Sequence, residues 1–284
     1  MIEKATRVQT GPDIEGFFRH IRACRNAVLP GTRVPFRLSD AQVGWVAPPM
    51  AAALAERPGI RTDANGITLA DPAALEPIAR ELAGRGLCRW RGEAFDVRAT
   101  PDGPVLARLD RGALPAFGVE AVGVHVNGLV RRADGLHLWI ARRAADKALD
   151  PGKLDHIVAG GVPSGLTPEE TLVKEAAEEA AIPPEIAARA VPVGLITYAM
   201  ERPEGLRRDR LHCYDLPLPE DFCPHATDGE VESFELWPLA RVLAAVRDTD
   251  DFKFNVTLVL IDFFLRHGAI TGAASARLRA ALSA

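Results

Sequence analysis

Residues 151–182 read PGKLDHIVAGGVPSGLTPEETLVKEAAEEAAI, and the glutamates at 175, 178 and 179 pose the question of what three like charges do so close together. Their helix is easy to delimit. Thr167-Pro168-Glu169-Glu170 has the form of a capping box with proline at the first helical position, and Pro183-Pro184 ends the helix. Val173, Ala176, Ala177 and Ala180 recur at i, i+3, i+4 and i+7, a stripe of small residues suited to packing on a sheet, with the three glutamates opposite. Glu175 and Glu179 are a like-charged i,i+4 pair that costs an isolated helix roughly 0.2–0.5 kcal/mol, and the Lys174–Glu178 pair offsets about as much. By themselves these charges fit a solvated face. Gly160-Gly161 and Gly165, just upstream, point elsewhere. Glycines let the backbone approach a ligand closely. Backbone carbonyls beside carboxylates are the oxygen ligands that Mg²⁺ takes and shares with substrate phosphates.

The 284 residues are 48% hydrophobic and 25% charged, enough apolar material for one large or two ordinary cores. A net charge of −4 argues against a general nucleic-acid surface. The four cysteines are scattered without a C-x-x-C pair, and the first ten residues lack the apolar stretch of a signal peptide. The longest apolar run, VTLVLIDFFL, is about half a membrane span. A cytoplasmic location is expected, with no membrane or nucleic-acid partner.

Two units are expected. In the first, residues 1–115, helices are read at 14–28, at AAALAERPG and at DPAALEPIARELAGRG, where Asp71 is the N-cap and Pro72 the first helical residue. PFRLSDAQVGWV reads as two strands around a turn, and LCRWRGEAFDVRA as a strand pair. LDRGALPAFG (109–118) reads as a linker. In the second unit, 116–284, VEAVGVHVNGLVRRADGLHLWIARRA alternates strongly, with Asp134-Gly135 as a hairpin turn. A loop from 152 leads into the glutamate helix. Strands follow at VPVGLITYAM, RLHCYDLPL and EVESFELWPL, and helices at LARVLAAVRD and VTLVLIDFFLRHG. This order fits an α/β (α+β) mixed sheet flanked by helices.

The motif resembles the Nudix box, G-x5-E-x7-R-E-U-x-E-E-x-G-U, where U is aliphatic. Glu175, Glu178 and Glu179 fall on the glutamates of its second half. Lys174 stands for the arginine, Ala181 for the glycine and Ile182 for the last aliphatic residue. The first half departs: Leu166 replaces a glutamate, and one residue is missing between Gly161 and Gly165. Across nearly the whole chain the sequence is similar to the Nudix subfamily related to the Nudix part of fungal thiamine pyrophosphokinase fusions, including its N-terminal domain. That resemblance implies an α/β/α sandwich, a Mg²⁺ (or Mn²⁺) cofactor and hydrolysis of a small-molecule diphosphate, with damaged thiamine diphosphates as substrates. By position it implies Glu175, Glu178, Glu179 and the Gly161 carbonyl as metal ligands. Glu230, from a loop beyond the box, joins the glutamates in catalysis; Glu232 is the second choice there. Arg142, Arg143, Lys147 and Gly160 are placed to hold phosphate oxygens.

Two alternatives stand beside it: hydrolysis of a nucleotide diphosphate of the ADP-ribose, NADH or coenzyme A type, and a non-catalytic binding module of the same fold. His212, Cys213, Cys223 and His225 lack zinc-finger spacing. Trp45, Trp90, Trp139 and Trp237 read as packing residues, and His125 and Asn127 as residues of a strand that can line a pocket.

Overall fold

The computed structural model describes residues 14–283. Helix α1 (Glu15–Cys24) turns the apolar face carrying Phe17, Ile21 and Cys24 into the core of the C-terminal half of the chain. The chain then leaves that core. Strands β1 (Val34–Leu38) and β2 (Ala41–Val46) form the expected hairpin, and α2 (Pro48–Ala55) begins directly at the prolines. Strands β3 (Ile60–Asp63) and β4 (Gly66–Leu69) complete a sheet of order β2-β1-β4-β3. At four residues each, they are too short for alternation to show in the sequence. Asp71 caps a short 3-10 turn leading into α3 (Leu75–Gly84), accepting from the Ala73 amide at 3.0 Å.

Of the expected strand pair in LCRWRGEAFDVRA only β5 (Ala94–Val97) forms, and it pairs with β6 (Ala107–Asp110). The preceding backbone has other partners. The amides of Arg91, Gly92 and Glu93 close on the buried Asp110 carboxylate at 2.8, 2.7 and 3.1 Å. Nor is 109–118 an open linker. It contains α4 (Leu114–Phe117), all four residues of which are buried.

The second sheet holds β7 (Glu120–Arg132), β8 (Gly135–Arg143), β9 (Leu154–His156), β10 (Val158–Gly161), β11 (Val191–Arg202), β12 (Gly205–Pro217) and β13 (Val231–Pro238). Its main order is β11-β12-β7-β8-β13, with β10 beside β7 and β9 beside β8. The β12–β7 pair is parallel and the others antiparallel, so the sheet is mixed as expected. Asn127-Gly128 lies inside one long strand and is no turn. Alternate residues feed two cores. Val124, Val126, Tyr214 and Leu216 pack with α5 (Pro168–Ala180) and α6 (Pro184–Ala187). Leu129, Leu211 and Cys213 pack with α1, α7 (Leu239–Asp248), α8 (Val256–Arg266) and α9 (Gly272–Ser283). The result is the expected α/β/α sandwich preceded by a smaller α/β unit.

The capping box of α5 forms as read: Thr167 Oγ1 accepts from the Glu170 amide at 3.1 Å, and Glu170 accepts from the Thr167 amide at 2.8 Å. The buried face is rotated from the expected stripe. It carries Leu172, Ala176, Glu179 and Ala180, while Ala177 is exposed. The helix stops at Ala181, whose φ of 52° lies in the left-handed region. A side chain is disfavoured there, so Ala181→Gly is expected to raise stability by roughly 0.5–1 kcal/mol in urea unfolding. A loss of stability would show that the alanine methyl packs usefully.

Candidate active site

Gly160 and Gly161 lie in β10, not in a loop. Two glycines lower strand propensity, and the pairing with β7 that overrides this comes from about 35 residues away in the chain. Both glycines are needed sterically. A Cβ on Gly160 would come within 2.6 Å of the Glu175 carboxyl carbon, and one on Gly161 within 2.5 Å of Phe95 Cζ. The first contact brings a box glutamate against the strand. The second brings the N-terminal unit onto it. That unit is fastened by Ser164 as well, whose hydroxyl donates to Asp96 at 2.6 Å and whose amide donates to the Ala94 carbonyl at 2.8 Å.

Between the two units opens a cavity of about 610 Å³. Gly160, Gly161, Arg143, Lys147 and Glu230 line it. Glu175 borders it behind Gly160 and is mostly buried. Glu179 is 7% exposed and accepts from the Ala159 amide at 2.9 Å. Burial pushes the Glu179 carboxyl well above the usual range, and the charges of Asp155, Glu175 and Glu230 add to that against the Ala159 amide. Burial also pushes Glu175 up, opposed by Lys174. Glu178 is half exposed, and the Lys174 ammonium bridges it to Glu175. Glu175 and Glu179 are carboxyls raised by burial and Glu178 follows on the same helix, but among the described residues the three glutamates do not meet as a ligand group. Carboxylate oxygens are the ligands that a hard divalent cation takes, and a nearby cation would relieve the cost of ionising these buried acids.

The remaining expected residues are placed as follows. Arg142 donates to the Gly152 carbonyl at 3.0 Å, and Arg143 to the carbonyls of Leu149 and Asp150 and to Asp155. Both guanidiniums therefore hold the 144–152 loop against the sheet. Lys147 pairs with Glu230 at the cavity wall. Burial would raise the Glu230 carboxyl, yet Lys147, with Arg111 and Arg143, holds it below its ordinary value. Glu232 is exposed, at a break in the pairing of β13 with β8.

The group of possible metal ligands found among the described residues lies behind the cavity wall, which only its His125 lines. One ligand atom each of His125, Asp155 and His156 lies within 4.8 Å of the others, all three residues being buried. The two histidines meet through their Nδ1 atoms at 2.9 Å. Burial pushes both down, His156 to about 4, so they are neutral and able to ligate. Asp155 accepts from Arg143 at 2.9 Å and Lys253 at 3.4 Å; against its burial, these cations hold it far below the usual carboxylate range. This mixed nitrogen and oxygen set can hold a divalent cation.

Several cavity residues carry no signal in the sequence. Phe95 and Arg111 come from the N-terminal unit, Arg207 and Arg208 from β12, and Lys253 from the turn before α8. They converge only through the tertiary structure. Asn127, read beside His125, does not reach the cavity; its amide donates to Asp215 at 2.9 Å. Trp45 lines a second cavity with Phe95 and His212, while Trp237 is buried. Among the described residues, His212, Cys213, Cys223 and His225 form no ligand group.

The NUDIX domain model matches residues 122–257, and a domain of unknown function (DUF4743) matches 16–121. The chain is 38% identical to Nudix hydrolase 20, chloroplastic, of Arabidopsis thaliana, over 95% of this chain and 78% of that protein. The chain belongs to the Nudix hydrolase family. A second Arabidopsis relative, Nudix hydrolase 24, chloroplastic, is 37% identical over 92% of this chain and 75% of its own length. Among solved structures, DR0079 from Deinococcus radiodurans superposes with a TM-score of 0.45 at 25% identity, covering 59% of this chain and 97% of that one. The relatives correct one expectation. Both Arabidopsis Nudix hydrolases are named as chloroplastic, which removes the basis for a cytoplasmic location. They support membership of the Nudix family with its N-terminal domain, and no narrower thiamine-related group. No helix among the described residues is long and apolar enough to cross a membrane.

Proposed function

We propose that this Nudix hydrolase cleaves the diphosphate linkage of a nucleotide-diphosphate-type molecule, using Mg²⁺ or Mn²⁺ held by Glu175, Glu178, Glu179 and the Gly161 carbonyl. The observation that carries the substrate class is the charge of the cavity. Arg91, Arg111, Arg143, Lys147, Arg207, Arg208 and Lys253 line it and outnumber the lining carboxylates Glu93, Asp146, Asp209, Asp228 and Glu230, and Phe95 lies beside Arg111, whose guanidinium sits 5.7 Å from the ring centre. Such a wall attracts a polyanion and repels the positive ring of thiamine diphosphate. Lys147 is placed to exchange Glu230 for a phosphate oxygen. Glu230, ionised at the wall, is then free to take the proton of the attacking water. The metal, when bound, neutralises phosphate charge and makes that water more acidic.

Turnover of ADP-ribose and NADH with Mg²⁺, against oxidised and intact thiamine diphosphates, tests this reading. The nucleotide compounds are expected to lead in kcat/KM by at least about tenfold, a transition-state difference of roughly 1.4 kcal/mol. The opposite order would restore the thiamine reading. Undiminished turnover in chelator would remove the metal from the mechanism.

A further inference from the structure

One cation of the cavity stands directly over the glycine strand, and it does not belong to the Nudix domain. Arg111 lies in the turn between β6 and α4, in the N-terminal unit. A Cβ on Gly161 would come within 3.4 Å of the Arg111 guanidinium carbon. Phe95 closes on the same point, with the guanidinium 5.7 Å from its ring centre. The charge of Arg111 also reaches two acids of the Nudix domain. Burial pushes the Glu175 carboxyl up and would push Glu230 up, and Arg111 is among the cations that pull both down.

The backbone around Arg111 is fixed. The buried Asp110 carboxylate accepts from the amides of Arg91, Gly92 and Glu93 and from that of Gly112 at 2.8 Å, while the Arg111 amide donates to the Glu93 carbonyl at 2.8 Å. The side chain is held more lightly. Its 2.9 Å ion pair with Glu93 joins side chains that are 41% and 36% exposed, where water screens the attraction. Arg143 and Lys253, by contrast, share the buried Asp155, and Arg207 is held by the buried Asp209 at 3.2 Å. Glu93 is a partner that an arriving anion can replace.

We infer that Arg111 is a catalytic residue lent by the N-terminal unit, its guanidinium exchanging Glu93 for two non-bridging oxygens of the diphosphate that is cut. This rests on the diphosphate reading above. In that reaction water adds to one phosphorus, and the bond from that phosphorus to the bridging oxygen breaks. The bridging oxygen leaves with the electron pair, and the proton of the water passes to Glu230. Negative charge grows on the departing phosphate, where a guanidinium on a fixed backbone stabilises it. Its planar fork suits a pair of phosphate oxygens.

Binding and turnover of the full chain test this. With Mg²⁺ present, methylenediphosphonate and α,β-methylene-ADP, whose P–C–P bridges resist hydrolysis, are titrated calorimetrically into the wild-type protein and its variants. Arg111→Ala is expected to bind them at least about tenfold more weakly. On whichever diphosphate the wild type turns over, it should lose at least about 10²-fold in kcat, more than KM rises. Arg111→Lys should recover part of both. Glu93→Gln should bind the analogues at least as tightly as the wild type, because it releases the guanidinium. Both partners are partly exposed, so these variants should melt near the wild type. An equal loss in Arg111→Ala and Glu93→Gln would assign the pair to holding the two units together and overturns the inference. So does normal analogue binding or normal kcat in Arg111→Ala, or failure of the wild type to bind either analogue. Arg111-dependent binding without hydrolysis of any diphosphate supports the anion contact and overturns the proposed reaction instead.

Discussion

Glu179→Gln is expected to lower kcat/KM by at least about 10²-fold, the scale of losing one main electrostatic contribution to the transition state, and to leave the protein harder to melt. The two effects have one cause. Glu179 is 7% exposed, and burial opposes its ionisation. Glutamine has the same shape and can still accept from the Ala159 amide at 2.9 Å, but it carries no charge to be desolvated. In chelator the melting temperature should therefore rise. Glu178→Gln should also lose activity, with little change in melting because Glu178 is half exposed. Normal turnover of Glu179→Gln combined with a lower melting temperature would make the residue a packing element only.

Phe17→Ala is expected to cost about 3–5 kcal/mol in chemical unfolding, the range for deleting a fully buried aromatic side chain. Phe17 is 0% exposed and meets Phe264 edge-on, with ring centres 6.2 Å apart. A chain beginning at Phe117 lacks all of α1 and leaves the apolar surfaces of α7, α8 and α9 open. Such a truncation is expected to aggregate rather than behave as an isolated Nudix domain. A soluble truncation with cooperative unfolding and native stability would show that α1 is dispensable.

The parts legible in the sequence were those whose signal is local. The cap at Thr167, the turn at Asp134-Gly135 and the apolar α8 are each specified by neighbouring residues, and each forms where it was read. The sheet interior was legible too, because β7 and β12 are long enough to show alternation. The glycine strand β10 was not, since its pairing is long-range and its composition is that of a loop. The fate of residues 87–93 was equally hidden. Asp110 claims their amides from about 20 residues away, and no spacing rule announces such a contact. The box glutamates could be found, but not that Glu179 faces inward. The apolar stripe drawn through Val173 and Ala177 put that face on the wrong side by part of a turn. The cations of the cavity arise from five separated segments and become a group only when the two units meet.

The position of α1 also bears on the order in which the protein is made. The helix leaves the ribosome well before its partners: α7, which packs on it, begins at Leu239 and α8 at Val256. Everything between Cys24 and Leu239 must be synthesised before Phe17 and Ile21 find their partners on α7 and α8. Meanwhile the four-stranded sheet and its helices have all their own residues available and can fold as a unit during synthesis. The nascent chain thus trails an unsatisfied amphipathic helix from a finished domain, a natural target for chaperones. Closing so long a loop adds only slowly to the entropic penalty as the loop lengthens, so delay, more than stability, is what this arrangement imposes.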